Sequence, residues 1–490
     1  MRSLFLLLFT VALLSPCAVV AQEEVDEAAA IDAIRNKLGT ITRDNTMPGN
    51  PVVGVALHGA NLSFRDNSFY LLKPFKKLSS LNLLASSVTD AGMRELPQFE
   101  NLTTLQLNFD ITDVGLKELA KVKSLTSIHL NGCKITDAGL KELRSLDKLQ
   151  TLGLHGTKIT DAGVKELAQI KSLTTLDLSG TAITDAGLAE LSQLKSLSSL
   201  NLLGTKITAQ GLHDVGKLPH LTDIAVMNVI SDEWLRELGE FKGLTKLDIR
   251  GEFTDAGMMH LKGLKNLMTL GLMSRRVTDE GLRVCGEFKN LTHLSIWLCP
   301  DVTGVGLKDV HDLSVLKVSS MTDAGMKEVG RFKSLVELDV NDSKITDAGF
   351  REIGRLKNLR ELYARDTAVT GVGLAELRDA EGLTMLILNN THVTDAGLLE
   401  LSQIKSLTHL HLNKTEITDA GLQKMEALPN LVGLSLQKTK ITDRGLPALS
   451  KHKNLKWLDI GLGPPFSDEA YQKLRQSLPG TDVRRRDGFW

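Results

Sequence analysis

The 490-residue chain carries 58 Lys and Arg against 59 Asp and Glu, a formal net charge of -1, and is 42% hydrophobic but only 4% aromatic. This balance lacks the basic footprint of a nucleic-acid binder and gives no bias towards an acidic or basic partner. Length alone would divide such a chain into about three domains. An internal repeat overrides that count, because a repeat array is one continuous body whose core grows along one axis.

Residues 1–21 have the pattern of an export signal. Arg2 supplies a positive n-region, residues 4–14 are apolar, and Val19, Val20 and Ala21 offer small residues before Gln22. Cleavage after Ala21 is expected, since the apolar run is shorter than the ~20 residues of a spanning helix. Pro16 stands before Cys17, where lipoprotein signals resemble one another in carrying Gly, Ala or Ser, so acylation of Cys17 is not expected. The mature chain is therefore expected to be exported, whether periplasmic, cell-surface or secreted, with no integral membrane segment.

Residues 22–51 read as an N-terminal helical cap. Ala29, Ile31, Ile34 and Leu38 form the apolar side of a helix over 23–38, Gly39 stops it, and residues 40–43 add a strand. Residues 52–466 are the repeat array. A Thr-Asp-Ala-Gly box recurs, with Thr112, Thr136, Thr160, Thr184 and Thr208 standing 24 residues apart, a period that marks a solenoid. Residues 149–154 alternate apolar and other side chains, as a strand with one buried face does. Leu140, Leu143, Leu146 and Leu149 recur every three residues, as a helix or tight helical turn packed on that strand requires. Between the two, Thr136 or Asp137 provides an N-cap oxygen, and the Asp charge suits the positive end of the helix dipole. Gly139 is expected to let neighbouring backbones approach closely.

Leu125-x-x-Ile128-x-Leu130-x-x-Cys133-x-Ile135 and Leu173-x-x-Leu176-x-Leu178-x-x-Thr181-x-Ile183 resemble the leucine-rich repeat signature. The repeat length and helical outer segment are similar to the ribonuclease-inhibitor-like and cysteine-containing classes, in an exported bacterial type. The resemblance implies an α/β leucine-rich repeat solenoid: a curved horseshoe with parallel strands on the concave face and helices on the convex face. One departure is that Thr157, Thr181, Thr205, Thr367, Thr391, Thr415 and Thr439 stand where the family carries an Asn or Cys ladder. Strands stack at about 4.8 Å and helices at about 10 Å, which bends the array with its strands inside. About eighteen repeats put the sheet near 85 Å along its stacking direction.

Regularity fails in the middle. Thr208 is followed by Ala209, Gln210 and Gly211, the next box is Ser231-Asp232-Glu233-Trp234, and the step from Thr303 to Thr322 is only 19 residues. Residues 306–313 have lost about a helical turn, and a kink in the stack is expected there. Residues 467–490 read as a C-terminal cap helix and tail, with residues 481–483 covering the last strand and Arg484, Arg485 and Arg486 solvated.

No catalytic constellation appears: there is no phosphate-binding glycine loop, nucleophile elbow or zinc-type Cys pair, and no cofactor is implied. The box aspartates read as a repeated structural device, and the sequons at Asn101 and Asn290 as products of the repeat consensus. Cys133 is expected to be a small buried hydrophobe, while Cys285 and Cys299 could pair across neighbouring repeats. His409 and His411 alternate on one strand without a third ligand, so they read as exposed polar residues and not as a metal site. The variable strand positions are small or polar in the first half, as at Asn82, Gln106, His129, Asp177 and Asn201. In the irregular middle they become Leu203, Met227, Arg250, Met273 and Trp297, with Tyr363 and Arg365 further on. Such residues are enriched at interface cores, so these seven form the candidate ligand-binding surface. The competing reading is that the irregular repeats turn some of them into the core. The function expected is a non-enzymatic scaffold that binds a protein or peptide on its concave face; polysaccharide or cell-wall binding is the alternative.

Overall fold

Each regular repeat folds as a three-residue strand, a turn and a seven-residue helix, as in Thr151–Gly153 with Asp161–Leu167 and Thr175–Asp177 with Asp185–Leu191. Leu152, Leu154, Ile159, Val164 and Leu167 all point into one core and are 0% exposed. A single repeat has no second layer to bury these side chains against, so stacking is what makes the core. In the computed structural model, which describes residues 25–37, 39–58, 63–226, 229–426, 428–461 and 466–485, this stacking builds one 20-stranded sheet. Its strands pair in chain order from Gly39–Arg43 to Asp482–Arg484, in parallel except that the first is antiparallel to Val52–Leu57. The result is a leucine-rich repeat solenoid with strands on one face and helices on the other. The expected signal segment and Met227 lie outside the described residues.

The Thr-Asp-Ala-Gly box divides its work between two repeats. Thr136 is the helix N-cap, its hydroxyl accepting from the Ala138 amide at 3.3 Å. Asp137 reaches the next repeat, where its carboxylate accepts from the Thr160 amide at 2.8 Å and from the Thr160 hydroxyl at 2.6 Å. The same clasp joins Asp113 to Thr136, Asp161 to Thr184, Asp185 to Thr208, Asp255 to Thr278 and Asp395 to Thr418. Gly139 leaves room for this clasp: a Cβ there would lie 2.3 Å from Asp113 Oδ1. The close approach expected of this glycine is thus to a neighbouring side chain, not to a neighbouring backbone.

The threonines at the ladder position act within their own repeat. Thr157, Thr181 and Thr415 donate to the carbonyls of Leu154, Leu178 and Leu412 at 2.7, 2.6 and 2.7 Å. An inter-repeat ladder runs elsewhere, where Asn101, Asn266, Asn290 and Asn358 donate to the carbonyls of Lys76, Lys242, Lys265 and Lys333. Asn101 and Asn290 therefore hold repeats together. The short step after Thr303 keeps only a tight turn at Val305–Asp309 where regular repeats have a full helix. Strand pairing passes through it unbroken, from Ser295 to Lys317 to Asp339.

At the ends, Glu27–Asn36 packs Ala30, Ile31 and Ile34 inward, and Asp468–Ser477 packs Leu474. The basic tail is not simply solvated. Arg484 lies in the last strand and pairs with Asp482 at 2.6 Å, while Arg485 pairs with Asp468 at 2.7 Å and lies over the Tyr471 ring; Arg486 lies outside the described residues. Cys133, Cys285 and Cys299 are all free and buried, so Cys285 and Cys299 do not pair. Burial pushes the Cys133 and Cys285 thiols up to about 12.

Candidate binding site on the strand face

In the regular repeats the residue just beyond the strand turns the chain away from the sheet at positive φ, a glycine in the first half, such as Gly156 or Gly180 with φ of +66°, and Asp366, Lys414 or Lys438 in the second. L-residues adopt that conformation only with strain. Gly251 and Ser274 occupy the corresponding place in the irregular middle without positive φ. There the strands Lys246–Arg250, Thr269–Met273 and His293–Trp297 run for five residues instead of three. The extension draws Arg250, Met273 and Trp297 into register as direct neighbours across three strands. One row inward, Asp248, Gly271 and Ser295 are paired in the same way, and Gly271 contributes no side chain to that row.

These rows bound a depression of about 380 Å3 lined by Leu203, Val226, Asp248, Arg250, Met273 and Trp297 together with Gly271 and Ser295, and the Asp248 carboxylate occupies the space that Gly271 leaves. Leu203, Met273 and Trp297 are half-buried and Arg250 is exposed, so none of the four has folded into the core. The Arg250 guanidinium has neither an ion pair nor a hydrogen-bond acceptor among the described residues, and the Trp297 indole N–H is equally unpaired. Leu298, beside Trp297, is 58% exposed and sits at φ +52°. The equivalent position takes positive φ at Ser320, Asp342, Asp366, Asn390, Lys414 and Lys438 as well, so this conformation belongs to the repeat turn and only the exposed apolar side chain is particular to Leu298. The sequence reading did not single out Leu298; its apolar side chain at a turn position that is otherwise Gly, Ser, Asp, Asn or Lys was the available signal.

Tyr363 and Arg365 stand apart from this group. Tyr363 lies three strands beyond Trp297, about 14 Å along the stack at strand spacing, and in the inner row with Asp339. Its hydroxyl donates to Glu361 at 2.7 Å, and burial with the nearby Glu361 carboxylate holds its proton well above the usual phenol range. Arg365 pairs with Asp342 and Asp366. Lys317 pairs with Glu337 at 2.6 Å, and burial pushes the Asp339 carboxyl up. This second patch is an internally satisfied polar network, unlike the open depression around Trp297.

Among the described residues no group of three or more His, Cys, Asp or Glu is arranged to hold a metal. His409 and His411 instead meet Trp457, with ring centroids 6.1 and 5.3 Å away. No described helix is long and apolar enough to cross a membrane.

Residues 123–143, 169–192 and 403–425 match the family described as Leucine Rich repeat. No curated protein sequence matches the chain. Among solved structures, a leucine-rich repeat protein of Leptospira interrogans is 23% identical with a TM-score of 0.52, the alignment covering 80% of this chain and 91% of that one. An internalin of Listeria monocytogenes is 20% identical with a TM-score of 0.49, covering 70% of this chain and 88% of that one. A plant peptide hormone receptor, in complex with RGF2, is 14% identical with a TM-score of 0.45, covering 85% of this chain and 67% of that one. The Leptospira likeness is one of fold.

Proposed function

We propose that this chain, a leucine-rich repeat protein, is a non-enzymatic interaction scaffold that acts outside the cytoplasm and takes a protein or peptide segment into the depression around Leu203, Arg250, Met273 and Trp297. One observation carries the reading: Leu203, Arg250, Met273 and Trp297 share one open depression, the last three on consecutive five-residue strands in the irregular middle of the array. Apolar groups held towards water gain nothing for folding, and a contiguous patch of them marks a binding surface. The unpaired Arg250 at its rim would add orientation by binding a carboxylate or carbonyl of the partner.

Export rests on the pattern of residues 1–21, and we assign capping roles to residues 22–51 and 467–490 because each meets an end of the sheet. The binding test is a pull-down from the native cell envelope with wild type and a Met273→Glu, Trp297→Ala double variant. Partners captured by wild type should be lost by the variant; recovery of the same set by both would count against this site.

A further inference from the structure

The C-terminal part of the strand face holds a different feature. Gly433 pairs with Trp457 across neighbouring strands, and the indole leans back over it: a Cβ at Gly433 would lie 2.2 Å from Trp457 Cζ2 and 2.8 Å from His409 Cδ2. Only glycine permits this placement. It lays a half-exposed indole along the sheet, inclined by 50° to the His411 ring. The neighbouring positions are polar and fixed. Asp459 accepts from Gln437 Nε2 at 2.5 Å and from the Gly461 amide at 3.2 Å. Asn413 Oδ1 accepts from the Ser435 hydroxyl at 2.6 Å and the Gln437 amide at 2.7 Å, which locks the amide oxygen and leaves Nδ2 without a protein acceptor among the described residues.

We propose that this cluster is a carbohydrate subsite, in which the Trp457 indole stacks on the apolar C–H face of a pyranose ring while His411, Asp459 and Asn413 exchange hydrogen bonds with its hydroxyls. A sugar has an apolar face and a rim of groups that both donate and accept. A held aromatic plane beside an acceptor carboxylate and an oriented amide donor matches both requirements. The carboxylate already receives two donors, which makes a neutral sugar a better fit than a cationic ligand. The site is separate from the depression around Trp297, which lies seven strands away in the pairing order.

Isothermal titration of chitotriose, cellotriose and mannotriose into the full chain tests the assignment. At least one saccharide is expected to bind wild type. Its affinity should fall about tenfold or more in Trp457→Ala, the loss expected when about 1.4 kcal/mol of stacking is removed. Trp457→Phe should recover part of it, Asn413→Ala should weaken it, and Trp297→Ala should leave it unchanged. Phe keeps an aromatic plane over Gly433, so that arm stands even if Trp457→Ala misfolds. Failure of all three saccharides to bind wild type, equal binding by Trp457→Ala, or binding of choline in their place would overturn the proposal. Loss through Trp297→Ala alone would overturn it too, by placing the saccharide in the depression around Trp297.

Discussion

A single residue type decides the geometry of each repeat junction. Gly139 faces Asp113 Oδ1, and Asp113 in turn holds Thr136 by two hydrogen bonds. Gly139→Ala should therefore destabilise the protein by about 1–3 kcal/mol through overpacking, although Ala is the better helix former. In an Asp113→Ala background the carboxylate is gone and only the Cβ at 3.1 Å remains, so the same change should cost much less. A double-mutant cycle by urea denaturation reads the coupling, and additive effects would show that the carboxylate does not occupy that space. The sequence displayed the box plainly but left the choice of cap between Thr136 and Asp137 open. Spacing along the chain cannot say whether a carboxylate serves its own helix or the next.

At the scale of an element, the last repeat holds an exception to its own pattern. Ile404 and Leu428 fill a buried position two and one repeats earlier, yet the equivalent residue is His452, only 2% exposed. Its Nδ1 accepts from the Leu428 amide at 3.4 Å and its Nε2 has no partner. Burial, reinforced by the adjacent Lys451 charge, lowers its pKa to about 4. The folded value lies below the ordinary ~6.5 of an unfolded histidine, so the neutral form is favoured by folding. Stability is then full above about pH 6.5 and falls as the pH drops towards 4, by up to about 3 kcal/mol for this group. His452→Leu should flatten that part of the pH–stability curve, measured by denaturation between those values; an unchanged slope would mean that other groups set it.

For the whole molecule, the array is a sum of repeats and their interfaces, and each end leaves an apolar face that must be covered. Removing residues 467–490 should expose the face now packed by Leu474 and Leu478. The shortened chain should then self-associate or lose its final repeats, which light scattering and hydrogen exchange would detect; a monomer with native exchange in residues 433–461 would refute the capping role. The candidate site also belongs to this scale, since its residues come from separate repeats spread between Leu203 and Trp297.

The sequence by itself determined the solenoid, its period, its buried leucines and the place where regularity fails, because each depends on spacing along the chain. It also picked out Leu203, Arg250, Met273 and Trp297 as unusual strand residues. Only the tertiary structure decided that these four share one depression while Tyr363 and Arg365 are tied into a separate polar network. It likewise revealed that the box aspartate clasps the following repeat and that Trp457 lies over Gly433. Contacts between repeats depend on strand length, register and side-chain direction in the stack, and a one-repeat pattern contains none of these.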